Sequence, residues 1–204
     1  MFFYKFATVL LLLLMQEIFI YLQLGFEHIT DPGGYDHILF IAAMTSVFSF
    51  NKIKELFVTV TAFTLGHSLS LAFAVLGYAP FDSALIEFLI PVSIILTATS
   101  NLFLPERRER FLPAYFAVFF FGLIHGFGFA NYLKSLLGKS GEILIPLLGF
   151  NIGLEVGQIL AALILLLVAG GLRRVKFSQR DTVLIINAFV VGVAMTVLQK
   201  VWLW

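Results

Sequence analysis

Four histidines, His28, His37, His67 and His125, are the side chains of this chain best suited to chemistry near neutral pH. An imidazole can take a proton or a metal ion, and its neighbours decide which. His37 follows Asp36 directly, and Glu155 stands inside a long apolar run with nothing cationic near it in sequence. The chain has no cysteine, so disulfides, thiolate metal sites and cysteine nucleophiles are excluded together. Imidazole and carboxylate without thiolate suit zinc, nickel, iron or manganese rather than copper(I). The expected ligands are therefore drawn from His28, Asp36, His37, His67, His125 and Glu155. Asp36 or Glu155 would serve either as a ligand or as the carboxylate that orients a ligating ring.

Spacing supplies a supporting set. Thr64, His67 and Ser68 stand at i, i+3 and i+4, on one face of a helix, and Asn151, Glu155 and Gln158 at i, i+4 and i+7 share a face of another. Thr64, Ser68, Asn151, Gln158 and, further out, Glu87 are expected behind the ligands. Plainer roles stand beside these: neutral histidines hydrogen-bonded across a bundle, Asp36 as a helix N-cap, Asn151 and Gln158 as interhelical glue, Glu87 facing an interface. Gly149, Gly153 and Gly157 form a stripe opposite the polar face, and Gly122 and Gly126 flank His125. Such stripes let helix backbones approach closely.

The elements that carry these residues must be membrane spans. Of 204 residues, 60% are hydrophobic and 12% charged, with a mean hydropathy of +1.01, whereas a soluble domain carries about a quarter charged residues. A soluble globular enzyme is excluded. A net charge of +1 offers no basic surface for nucleic acid. Apolar runs predict an all-α transmembrane bundle in a single integral membrane domain, with about seven spans near 6–26, 36–50, 57–77, 84–104, 114–131, 143–168 and 183–203. The first run lacks a small-residue cleavage site and is kept as a span. Lys5, Lys52, Lys54, Arg107, Arg108, Arg110, Arg173, Arg174, Lys176 and Arg180 then fall on one side, and only Lys134, Lys139 and Lys200 on the other. That bias places the N-terminus in the cytoplasm and the C-terminus outside. His28, Asp36 and His37 would bracket an outer loop, Glu27 to His37, in which the turn signature Pro32-Gly33-Gly34 folds His28 back toward Asp36 and His37. His67 and Glu155 near mid-span, and His125 in the outer half, would join them in one cavity opening outward.

The residues that carry this chemistry also carry a resemblance. Asp36-His37-Ile38-Leu39-Phe40 after a glycine turn, Phe63-Thr64-Leu65-Gly66-His67-Ser68, Phe121 through Ala130 around His125, and Gly149 through Gln158 around Glu155 resemble, in the same order, the motifs of the HupE/UreJ membrane proteins. In the hydrogenase-linked members a proline follows the first histidine, where this chain has Ile29. The resemblance covers roughly residues 25–165. It implies a polytopic protein of the bacterial cytoplasmic (inner) membrane, a nickel or cobalt permease serving hydrogenase and urease maturation, and with it a metallochaperone or metalloenzyme-maturation partner.

The leading expectation is thus a membrane protein that binds a divalent transition metal (nickel, cobalt or zinc) in an outward-opening His/Asp/Glu site and conducts it inward. Its partners are the metal ion and the lipid bilayer. An intramembrane metal-dependent hydrolase acting on a lipid-like substrate is the alternative, with three protein ligands, an activated water and Glu155 or Asp36 as base. A non-catalytic accessory protein or proton-linked sensor is a third. On the inward side the sequence offers mainly Thr99 and Asn101 as polar groups.

Overall fold

The structure, a computed structural model, describes residues 2–78, 82–103, 111–137 and 143–202. Among them are seven α-helices and no strand: α1 (Phe2–Thr30), α2 (Asp36–Ser46), α3 (Ile53–Val75), α4 (Ser83–Phe103), α5 (Phe111–Leu137), α6 (Leu144–Arg174) and α7 (Gln179–Lys200), with one 3-10 turn at Phe50–Lys52 before α3. Six of the seven are long and apolar enough to cross a membrane. The all-α transmembrane bundle is as expected.

The exception is α2. Its 11 residues span about 16 Å at ~1.5 Å per residue, half a bilayer core, where the sequence predicts a short span over 36–50. The first helix differs in the other direction, running on to Thr30, so that His28 sits in its last turn rather than in the loop. The connection shrinks to residues 31–35. There the Asp31 carboxylate accepts from the Gly33 amide at 2.8 Å and the Gly34 amide bonds the Asp31 carbonyl at 3.1 Å. Pro32 cannot donate and disfavours helix at the residue before it, which is why α1 stops there.

Glycines set how the helices pair. Along α6, Gly149 lies against Ile18, Gly153 against Leu22, and Gly157 against Phe26 and Ile29, while Gly25 of α1 lies against Phe150 and Leu154. A Cβ on Gly153 would run into the Leu22 carbonyl, and one on Gly25 into that of Phe150. Residue numbers rise together, so α1 and α6 run parallel. The pair α3 and α5 is built likewise, with Gly66 against Phe119, Gly122 against Phe63 and Gly126 against His67 and Ser70. These are the two most extensive helix pairs. In contrast α4 and α7 are antiparallel, with Phe88 beside Trp202 at one end and Arg180 bonded to the Leu102 carbonyl at the other.

Helix α2 threads between the pairs. It packs along α4, α6 and α7, while the His37 ring at its start reaches His67 and His125 and the Phe40 ring one turn on reaches Phe63 and Phe121 of α3 and α5. Its last turn reaches the end of α6, where Arg173 donates to the Ser46 carbonyl. Helices α1 and α2 therefore follow one another along α6, with the break at residues 31–35 between them. An up-and-down bundle of seven crossings would set α1 against α6; the glycine stripe of α6 takes it in parallel instead. Arg107, Arg108, Arg110 and Lys139, which enter the charge asymmetry, lie outside the described residues.

Candidate metal centre

The interruption between α1 and α2 is where the histidines meet. His28 ends α1 and His37 begins α2, and the tight turn between them brings the ring centroids to 4.6 Å. His67 of α3 lies 5.8 Å from His28 and 5.7 Å from His37, and His125 of α5 lies 5.2 Å from His37. One ligand atom each from His28, His37 and His67 falls within 4.8 Å of the others. Their walls are aromatic: Phe129 stands 3.9 Å from His28 and stacks on Phe150, while Phe40 and Phe63 lie 5.4 and 5.1 Å from His125.

Two of the rings have their tautomer set by a hydrogen bond. His37 Nδ1 donates to Asp36 Oδ1 at 3.1 Å, and the same oxygen accepts the His37 backbone N–H at 2.9 Å. His125 Nδ1 donates to the Phe121 carbonyl, one helical turn back, at 2.8 Å. In each, the proton on Nδ1 leaves the lone pair on Nε2. Those Nε2 atoms, with Nε2 of His28 and both ring nitrogens of His67, are buried and have no hydrogen-bond partner. Leaving a buried polar group unsatisfied costs about 1–3 kcal/mol, so four such rings together approach the ~5–15 kcal/mol that holds a domain folded. A cation that takes up the lone pairs offsets that cost, and neutral imidazoles held from behind by a carboxylate or a carbonyl are what such a cation requires. The donor set fits a borderline transition metal.

The remaining expected residues divide. Asp36 backs His37; the N-cap of α2 is Tyr35, not Asp36. Glu155 accepts a hydrogen bond from Thr61 at 2.7 Å, and Gln158 one from Thr64 at 2.8 Å, so the polar faces of α3 and α6 meet each other. Glu155 is not part of the close trio of imidazoles. The side-chain amide oxygen of Asn151 is buried without a partner. Ser68 is half-buried, and Glu87 is exposed at the start of α4, accepting from Ser83 at 3.3 Å. Thr61 escaped sequence reading, although it stands three residues before Thr64 on the same face. Asn187, buried in α7, escaped it too, and the signal was there: a lone amide in an apolar span.

Across nearly the whole chain, residues 7–202 match the sequence model of a family described as HupE / UreJ protein. The chain belongs to the HupE/UreJ family. No curated protein and no solved structure matches it. In this HupE/UreJ protein each of the first three motifs read from the sequence carries one histidine of the cluster, His37, His67 and His125 in turn, and the fourth carries Glu155 and the glycines that seat α1.

Proposed function

We propose that this multi-pass HupE/UreJ protein binds a divalent transition metal cation as cargo at His28, His37 and His67, with His125 as the adjoining ligand, and passes it across the bacterial inner membrane. Nickel or cobalt is the favoured cargo on family grounds and zinc fits the same donors. The observation that carries the reading is the convergence of unpartnered, buried imidazole nitrogens from four helices. Rings that only glued helices together would have spent those nitrogens on neighbouring carbonyls, as His125 spends its Nδ1.

The cation would enter with its charge met by Asp36, and imidazoles would replace part of its hydration shell. Asp36 holds His37 in the ligating tautomer, and the Phe121 carbonyl does the same for His125. Conduction further requires that the ligands release what they bind. A hydrolase would instead need a carboxylate free to take a proton from water, and both candidates are engaged: Asp36 by His37 and Glu155 by Thr61.

The test is uptake of nickel(II), cobalt(II) and zinc(II) into proteoliposomes holding the purified protein, with metal content measured in parallel. The reading expects near-stoichiometric metal and saturable uptake, both lost in His67→Ala. Metal that binds and never crosses would sink the permease, and hydrolysis of a lipid by the loaded protein would favour the enzyme. A maturation partner on the cytoplasmic side, a metallochaperone, belongs to the same proposal.

A further inference from the structure

A second buried polar cluster joins α2, α4 and α7. Asn187, fully buried in α7, donates to Ser46 Oγ of α2 at 2.8 Å and to the Val183 carbonyl at 2.8 Å. Asn101 of α4 donates to the Ala43 carbonyl at 2.8 Å and to Asn187 Oδ1 at 3.1 Å. Ser46 Oγ in turn donates to the Ala43 carbonyl at 2.7 Å. Next to it in sequence, the buried Thr45 hydroxyl has no partner. Amides are costly inside a membrane and tend to mark paths for polar cargo.

The cluster and the histidines share one element. His37 stands in the first turn of α2 and Ser46 at its end, about 13 Å apart at ~1.5 Å per residue. Between them Phe40, Ile41 and Met44 are buried, and the Phe40 ring sits 4.9 Å from Phe63 and 6.0 Å from Phe121. Beyond the cluster, Arg173 donates to the Ser46 and Phe48 carbonyls at 3.2 and 2.9 Å, and Gln179 to that of Val47 at 3.3 Å. The end of α2 is thus tied to the turn between α6 and α7.

We propose that Ser46, Asn101 and Asn187 form a second, weaker cation station, through which cargo leaves the histidines toward the α6–α7 turn, and that the Phe40 ring closes the gap between the two stations in this conformation. The inference rests on the metal-binding reading above. Imidazole nitrogens hold a borderline cation firmly; hydroxyl and amide oxygens are hard, neutral donors that hold it loosely with part of its water. A pathway needs such a gradient, because a site that binds too well does not let go. Interhelical bonding accounts for the contacts that Asn101 and Asn187 make, and the buried Thr45 hydroxyl, next to Ser46 in sequence, is left without a partner, for a passing cation or its water to meet.

Asn187→Leu keeps the branched shape at a somewhat larger volume and removes both the donors and the acceptor. With nickel(II) as the probe in proteoliposomes, it is expected to retain metal at the histidines while uptake falls about tenfold or more, the effect of an apolar side chain on an ion path. Because the chain has no cysteine, Ser46→Cys provides a single thiol for a small water-soluble reagent. It is expected to react, and to react faster when nickel is present to cycle the protein. Wild-type uptake by Asn187→Leu, or a Ser46→Cys thiol inert with and without nickel, overturns the station; if Asn187→Leu fails to fold, the thiol decides alone. A wild type that binds no divalent metal overturns the metal-binding reading and the station with it, whereas binding and uptake with an inert thiol overturn the station only.

Discussion

At the scale of single residues, the histidines differ in how they are held, and that orders the effects of changing them. His67 has no hydrogen bond at either ring nitrogen and is fully buried. His67→Ala removes one of the three close imidazoles and should abolish stoichiometric metal, read by elemental analysis of the purified protein. Asp36→Asn keeps the shape but weakens the acceptor behind His37, and metal affinity should fall about ten- to a hundredfold, as outer-shell changes do; titration with a competing chelator measures it. Binding also has a direction with pH. A proton on Nε2 occupies the lone pair a metal needs, and an ordinary imidazole takes that proton near pH 6.5. Affinity should therefore be full at mildly alkaline pH and decline as pH falls through the imidazole range, with protons released on binding. Affinity that never declines with acid while the protein stays folded would argue that the imidazoles are not the ligands. Residue types alone marked every histidine as a candidate, because only four occur and three of them sit in motifs. They could not show what Glu155 meets: its place on a polar helix face does not tell which neighbour that face has, and it bonds Thr61.

Elements explain the rest of what was and was not legible. The long helices follow from apolar runs that must satisfy their own backbone in lipid, and the glycine stripes foretold close packing. Hydropathy could not show that α2 is half a span, since a buried half-helix is as apolar as a crossing one. Nor could it show that α1 runs with α6, since a stripe of small residues accepts a neighbour in either direction. The parallel seat is tight enough to test. Gly153→Leu places its side chain where the Leu22 carbonyl lies and should cost about 1–3 kcal/mol by overpacking, seen as a lower thermal midpoint in detergent. Because α1 delivers His28, the same variant should bind metal more weakly, while a leucine at the open position Gly192 should do neither.

For the whole molecule, the pairing of α1 with α6 and the return of α7 alongside α4 bring residues 2 and 200 to the same face of the bundle, whereas alternation over seven crossings places them on opposite faces. Tags at the two ends should accordingly be accessible from the same side of a sealed vesicle; labelling of one end from each side would restore the alternating arrangement. By the charge asymmetry, the face with Arg173, Arg174, Lys176 and Arg180 is expected to be the cytoplasmic one, and Lys5, counted with them from the sequence, then falls on the other. The break at residues 31–35 has an electrostatic consequence as well. A helix carries a partial negative charge at its C-terminus and a partial positive one at its N-terminus, and here the end of α1 and the start of α2 converge on the same few ångströms. Asp36, in the first turn of α2, cancels the positive pole, and nothing in the last turn of α1 cancels the negative one while His28 is neutral. The end of α1 and the Asp36 carboxylate together thus favour a cation over an oxyanion at this point, before any imidazole has chosen among the metals.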